Sequence, residues 1–158
     1  KDFNDDVNMA HKLFDAYNID DHDMYIMVSF AGNEPIIVEA ALIAKAKGQK
    51  VIAVINKKLS DKSEVKHSSG KKLADIADLV IDNLADENDA VLDVDKTHKM
   101  CQLATINGNV IAQMITAETY NYLTSQGKDC PILLSANVKG ADVHNKAMSD
   151  KYAGRWNS

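Results

Sequence analysis

The 158-residue chain carries two cysteines, two prolines, one tryptophan and only 6% aromatic residues. Two cysteines cannot build the multi-bridge framework of a small secreted domain, and Cys101 and Cys130 belong to no CxxC or Cys/His cluster with zinc spacing. Both are read as reduced structural thiols, and no metal set is expected. Positive charge is also short. Eighteen Lys and Arg against 23 Asp and Glu give a formal charge of -5, with no basic stripe to neutralise a phosphate backbone. Nucleic acid is therefore not an expected partner. No apolar run reaches the ~18 residues of a membrane span, and no leader pattern opens the chain. The expectation is a soluble, cytoplasmic protein with no membrane partner.

With 46% apolar and 26% charged residues, the chain has the polarity of one ordinary domain able to bury a core. A single domain over residues 1–158 is expected. Met9, Leu13, Phe14 and Tyr17 recur at helical spacing, which predicts one amphipathic helix within residues 1–20, ending near Asn18. Met24 to Ser29 is an almost unbroken apolar run, as a strand of a covered parallel sheet requires. Pro35 can occupy the first turn of a helix running from Ile36 to Lys47, with Gly48 as its stop. Val51 to Ile55 then closes a β-helix-β unit.

Asn56 to Lys72 is polar, rich in Lys and Ser, and reads as a long loop. Leu79 to Asp82 is a third strand, Ala90 to Val94 a further short one, and Leu103 to about Ser125 a long helix ended by Gly127. Pro131 to Ser135 reads as a last strand, followed by a helix from about Asp142 to Tyr152. The alternation predicts a three-layer α/β sandwich with a mainly parallel sheet, whose ligands bind beyond the carboxyl ends of the strands.

The turn Ser29-Phe30-Ala31-Gly32-Asn33-Glu34-Pro35 is the first place where chemistry could reside. Gly32 allows close backbone approach, Ser29 and Asn33 can donate, and the next helix directs its positive N-terminal end at the same space. Anion binding and simple capping are both open readings, and the Glu34 carboxylate opposes the first. His67, Ser68, Ser69 and Lys71 bring an imidazole, two hydroxyls and an ammonium together, either as a surface turn or as groups that hold a sugar or phosphate and move protons. Asn137, Gly140, Asp142, His144 and Asn145 form a third polar cluster, in which Asp142 could be no more than a helix N-cap. Glu39, the only carboxylate in an apolar helix, is a candidate general base or a residue facing solvent or a partner copy. His22 and His98 read as solvated side chains, and Arg155 and Trp156 as tail or interface residues.

Strand, S-x-[SA]-G-N, then helix resembles the phosphate loop of SIS (sugar isomerase) domains. Three later segments narrow the resemblance to a subgroup of bacterial SIS-domain proteins. Val65 to Leu73 is similar to their S-R-H-x-S-G-K-x-L, Ala77 to Asn83 to A-D-x-V-I-D-N, and Ser135 to Asn145 to S-x-N-x-x-G-x-x-x-x-N. The match runs from about Met24 to Tyr152. The resemblance implies a flavodoxin-like sheet, a sugar phosphate or amino-sugar phosphate as ligand, and a homodimer with its sites near the subunit interface; no cofactor is expected.

Two departures are visible. Ala31 stands where the family often has a second Ser, removing one hydroxyl donor. No F-G-x-G-H-S segment precedes Met24, so the first strands of the family's sheet are expected to be missing from this chain. Ser29, Gly32, Asn33, Ser68, Ser69, Lys71 and Asn137 are the expected ligand contacts, with His67, His144 and Glu39 as acid-base candidates. The two functions left in competition are a phosphosugar isomerase or related enzyme and a non-catalytic sugar-phosphate sensor or assembly module.

Overall fold

The computed structural model describes residues 3–17 and 19–153. Arg155 and Trp156 lie outside them. The elements, in chain order, are a 3-10 turn at Phe3–Asp5, α1 (Val7–Ala16), β1 (Met24–Val28), α2 (Pro35–Ala46), β2 (Lys50–Ile55), α3 (Lys57–Lys62), α4 (Leu73–Ile76), β3 (Leu79–Asp82), β4 (Ala90–Asp93), β5 (Lys99–Gln102), α5 (Leu103–Ser125) and α6 (Ala141–Lys151). Two compact units are present, Lys1–Ala112 and Gln113–Ser158.

The first unit is α/β. Its sheet has the order β1-β2-β3 with every pairing parallel, and Ile26, Ile52 and Leu79 stand side by side across it. This matches the expected parallel sheet with helical crossovers and is consistent with a flavodoxin-like SIS fold. Pro35 sits at the start of α2, where its missing N–H costs nothing. The core lies on one face of the sheet. Met27, Val51, Ala53 and Ile55 pack there against Ala41 and Ala44 of α2, Phe14 of α1 and Leu73 of α4. The alternating β1 residues Met24, Ile26 and Val28 are about half exposed. Alternation of this kind follows from the two-residue period of a strand.

Asp78 fastens the start of β2 and β3. It accepts from the Val51 N–H at 2.9 Å and from Lys45 and Lys50. Lys45 first, then the Val51 amide and Lys50, hold its carboxyl well below the usual carboxylate range.

Four sequence expectations are corrected. The segment 56–72 is not all loop, because Asn56 caps α3. Its Oδ1 accepts from Leu59 N–H at 2.9 Å, while its Nδ2 donates to the Ala85 and Asp86 carbonyls. The N-terminal helix is shorter than residues 1–20 allow, with Asp6 as its cap. Asp142 lies in the first turn of α6 rather than capping it, the N-cap being Gly140 at φ +84°.

The fourth correction is the expected strand at 131–135, which is not a strand. In the second unit, the Asn145 side chain accepts from Leu134 N–H and donates to Leu134 C=O, both at 2.8 Å. His144 Nε2 donates to the Ile132 carbonyl at 2.8 Å. Backbone groups that would otherwise seek a neighbouring strand are thus met by side chains of α6. The strand at 90–93 is present and pairs with β5 as an antiparallel hairpin, which the polar sequence of β5 did not announce.

Candidate functional site

The turn after β1 is fixed from both sides. Ser29 N–H donates to Val54 C=O, and Asn56 N–H donates to Phe30 C=O. Gly32 has φ +67°, its carbonyl accepts from Leu73 N–H at 2.8 Å, and a Cβ there would lie 3.1 Å from Leu73 Cβ. Glycine is therefore required both for the left-handed backbone and for the close approach of α4.

The expected side-chain donors are already engaged within the protein. Ser29 Oγ donates to Glu34 Oε2 at 2.6 Å and accepts from Gly32 N–H at 2.7 Å. Asn33 Nδ2 donates to the Glu64 carbonyl at 3.0 Å. The backbone behaves differently. The N–H groups of Ala31, Asn33 and Glu34 meet no acceptor among the described residues, although Ala31 and Asn33 are buried. Unpaired buried amides ahead of a helix N-terminus are costly unless water or an anion completes them.

One turn into α2, the half-buried Glu39 carboxylate is held by two imidazoles. Its Oε2 lies 2.9 Å from the buried His67 Nε2, and its Oε1 lies 2.9 Å from His11 Nε2. Ser69 N–H donates to His67 Nδ1 at 3.1 Å, and Ser69 Oγ is 2.8 Å from the same nitrogen. An acceptor role at Nδ1 places the proton of the neutral ring on Nε2, directed at Glu39. His67, Ser68, Lys66, Pro35, Asp5 and Val7 line a cleft of about 590 Å³ beside this pair. Gly70, at φ +74°, closes the turn by donating its N–H to the His67 carbonyl.

Glu39, His67 and Ser69 are thus brought together, with Ser68 on the same cleft and Lys71 exposed on the following residues. Asn137 and His144 belong to the second unit. There Asn137 N–H lies 3.4 Å from Ser135 Oγ, and His144 supports the Ile132 carbonyl. His11 is a site residue that the sequence reading missed; it sits on α1, 28 positions from Glu39, and no local motif marks it. Cys101 and Cys130 are free thiols. No group of three metal-ligating side chains is present among the described residues.

The SIS domain family profile matches residues 1–56, which span α1, β1, the turn, α2 and β2. Over these residues the chain is similar to SIS domains. It is similar to a UPF0309 protein of Thermoanaerobacter pseudethanolicus, 38% identical over 146 residues that make up 90% of this chain and 59% of that relative. A UPF0309 protein of Geobacillus thermodenitrificans is 33% identical over 94% of this chain and 60% of its own length. One from Listeria monocytogenes is 37% identical over 82% and 53%. The chain therefore spans less than two thirds of the length of these relatives. None of its described helices is long and apolar enough to cross a membrane.

Proposed function

We propose that this chain forms part of a phosphosugar-binding site and that Glu39 moves a proton on the bound sugar. The observation that carries this reading is the placement of unpaired amides just ahead of one helix and a carboxylate within it. Ala31, Asn33 and Glu34 present free N–H groups before α2, and Glu39 follows four residues after Pro35. Four residues of α-helix rise roughly 6 Å, a separation suited to a phosphate at one end of a short sugar and a reacting carbon further along. The turn amides and the α2 N-terminus take the phosphate, with Ser29, Gly32 and Asn33 shaping the turn, Ser68 on the cleft beside Pro35, and Ser69 and Lys71 as further candidate ligand contacts.

In an aldose-ketose isomerisation, one proton leaves carbon 2 for Glu39 and returns to carbon 1. A second passes from the oxygen on carbon 2 to the oxygen on carbon 1, so no oxidant or cofactor enters. His67 donates a hydrogen bond from Nε2–H to Glu39 Oε2 and so orients the carboxylate. A cytoplasmic homodimer belongs to the same reading.

A second reading, a sensor that binds without turnover, is favoured by the engagement of the Ser29 hydroxyl with Glu34. Titration of the full chain with hexose and hexosamine 6-phosphates, read by calorimetry and by isomer analysis, separates the two. Binding with slow interconversion that Glu39→Gln abolishes supports the enzyme. Binding without interconversion supports the sensor, and no binding of any phosphosugar refutes both.

A further inference from the structure

The two histidines that hold Glu39 are not equivalent. His67 is buried, with its side chain 4% exposed, and Ser69 N–H donates to its Nδ1 at 3.1 Å. That nitrogen must keep a lone pair in order to accept, so the ring is fixed with its proton on Nε2 and has no second nitrogen to pass one on. His11 comes from α1, and its side chain is 56% exposed. Its Nε2 lies 2.9 Å from Glu39 Oε1, while its Nδ1 has no protein partner among the described residues. Nothing in the protein therefore fixes the His11 tautomer. One nitrogen faces the carboxylate, and the ring that carries the other reaches solvent.

The remaining charged groups around Glu39 are differently placed. Asp5 of the 3-10 turn and Lys66 of the loop before α4 line the cleft beside His67, and neither bonds to Glu39. Asp15 stands one turn further along α1 from His11. Asp75 of α4 accepts from Lys72 N–H. Both Glu39 oxygens thus face imidazoles, and of the two rings only His11 has a second nitrogen able to exchange a proton with water.

We propose that His11 is the proton exit of Glu39, the group through which this carboxyl trades protons with bulk water. The inference rests on the reading of Glu39 as the base and deepens it. Once Glu39 holds the proton taken from carbon 2, His11 Nε2 receives it and Nδ1 releases one to water. The reverse passage returns a solvent proton to Glu39, which delivers it to carbon 1. One carbon-bound hydrogen is thereby exchanged for one from water, with no change in charge or oxidation state. An imidazole suits this task because it can accept at one nitrogen and release at the other near neutral pH. His11 touches Glu39 rather than the sugar, so it is a positioning residue that acts through the base.

The coupling can be read without a ligand. Carboxyl ¹³C and imidazole ¹⁵N spectra of the full chain, followed through the range in which histidines change charge, should show a step in the Glu39 resonance at the His11 midpoint. His11→Gln retains a donor for Oε1 but cannot titrate, and in that variant the step should vanish. A step that persists in His11→Gln, or that follows His67, overturns the proposal. The second arm is turnover of aldohexose 6-phosphates in heavy water. Ketose product of the wild type should carry solvent deuterium at carbon 1, and His11→Gln should lower the deuterium incorporated per turnover roughly ten-fold. Equal incorporation overturns the proton exit and leaves the isomerase reading standing. If no aldohexose 6-phosphate is interconverted, the isomerase reading falls and the proton exit falls with it.

Discussion

The Ser29 hydroxyl donates to the Glu34 carboxylate at 2.6 Å while receiving the Gly32 N–H, so the side chain best placed to greet an anion already holds one. Glu34 thus acts as an internal competitor for the turn. Glu34→Gln keeps an acceptor for Ser29 but removes the charge. Inorganic phosphate should then bind roughly ten-fold more tightly, the ~1.4 kcal/mol expected of one charge several Å away in a partly solvated site. Calorimetric titration of both forms checks this, and equal affinities would remove Glu34 from the account.

Gly32→Ala should lower stability by about 1–3 kcal/mol, because φ +67° disfavours any side chain and the new Cβ would press on Leu73 Cβ at 3.1 Å and Ile55 Cγ2 at 3.3 Å. Thermal denaturation measures the loss. An unchanged melting temperature would mean that the turn relaxes without resistance from α4.

Asn145→Ala removes both side-chain bonds to Leu134 and should cost about 1–3 kcal/mol. The Leu134 amide proton should exchange with deuterium much faster in the variant. The Ile52 amide, in the parallel sheet of the first unit, should keep its protection.

Acid should destabilise the protein in a defined window. Glu87 is held down to about 2, first by Lys58 and then by Lys62, and Asp95 to about 2, first by the Thr97 N–H and then by His98. The unfolded state takes up these protons at higher pH than the folded state. Both contributions are therefore complete above pH ~4.5 and disappear as the pH falls through about 2. Carboxyl ¹³C titration should place the Glu87 midpoint near 2, and Lys58→Met with Lys62→Met should return it toward 4.5. A midpoint already near 4.5 in the wild type would contradict the pairing.

Much of the first unit was legible in the sequence. Met24 to Val28 and Val51 to Ile55 are continuous apolar runs, and Pro35 and Gly48 bracket α2, so the β1-α2-β2 unit could be read within a residue or two. Polarity hid α3 and β5, neither of which presents an apolar stripe. Residues 131–135 have a strand's composition but not its pairing, since Asn145 serves their backbone instead. In the site, the turn, Glu39 and His67 were visible as residue types in suggestive places. Their juxtaposition was not, because Glu39 and His67 are 28 residues apart and His11 is as far again in the other direction.

The clasp between Asn145 and Leu134 also bears on the order of folding. It closes a loop of 11 residues, whereas joining Ile52 to Leu79 requires the chain to return across α3 and α4. Loops of about that length close in ~10–100 ns, and contacts of low sequence separation form earliest because little chain entropy is lost in making them. The region from Pro131 to Lys151 can therefore acquire its local order early, while the three-stranded sheet waits on slower, long-range encounters.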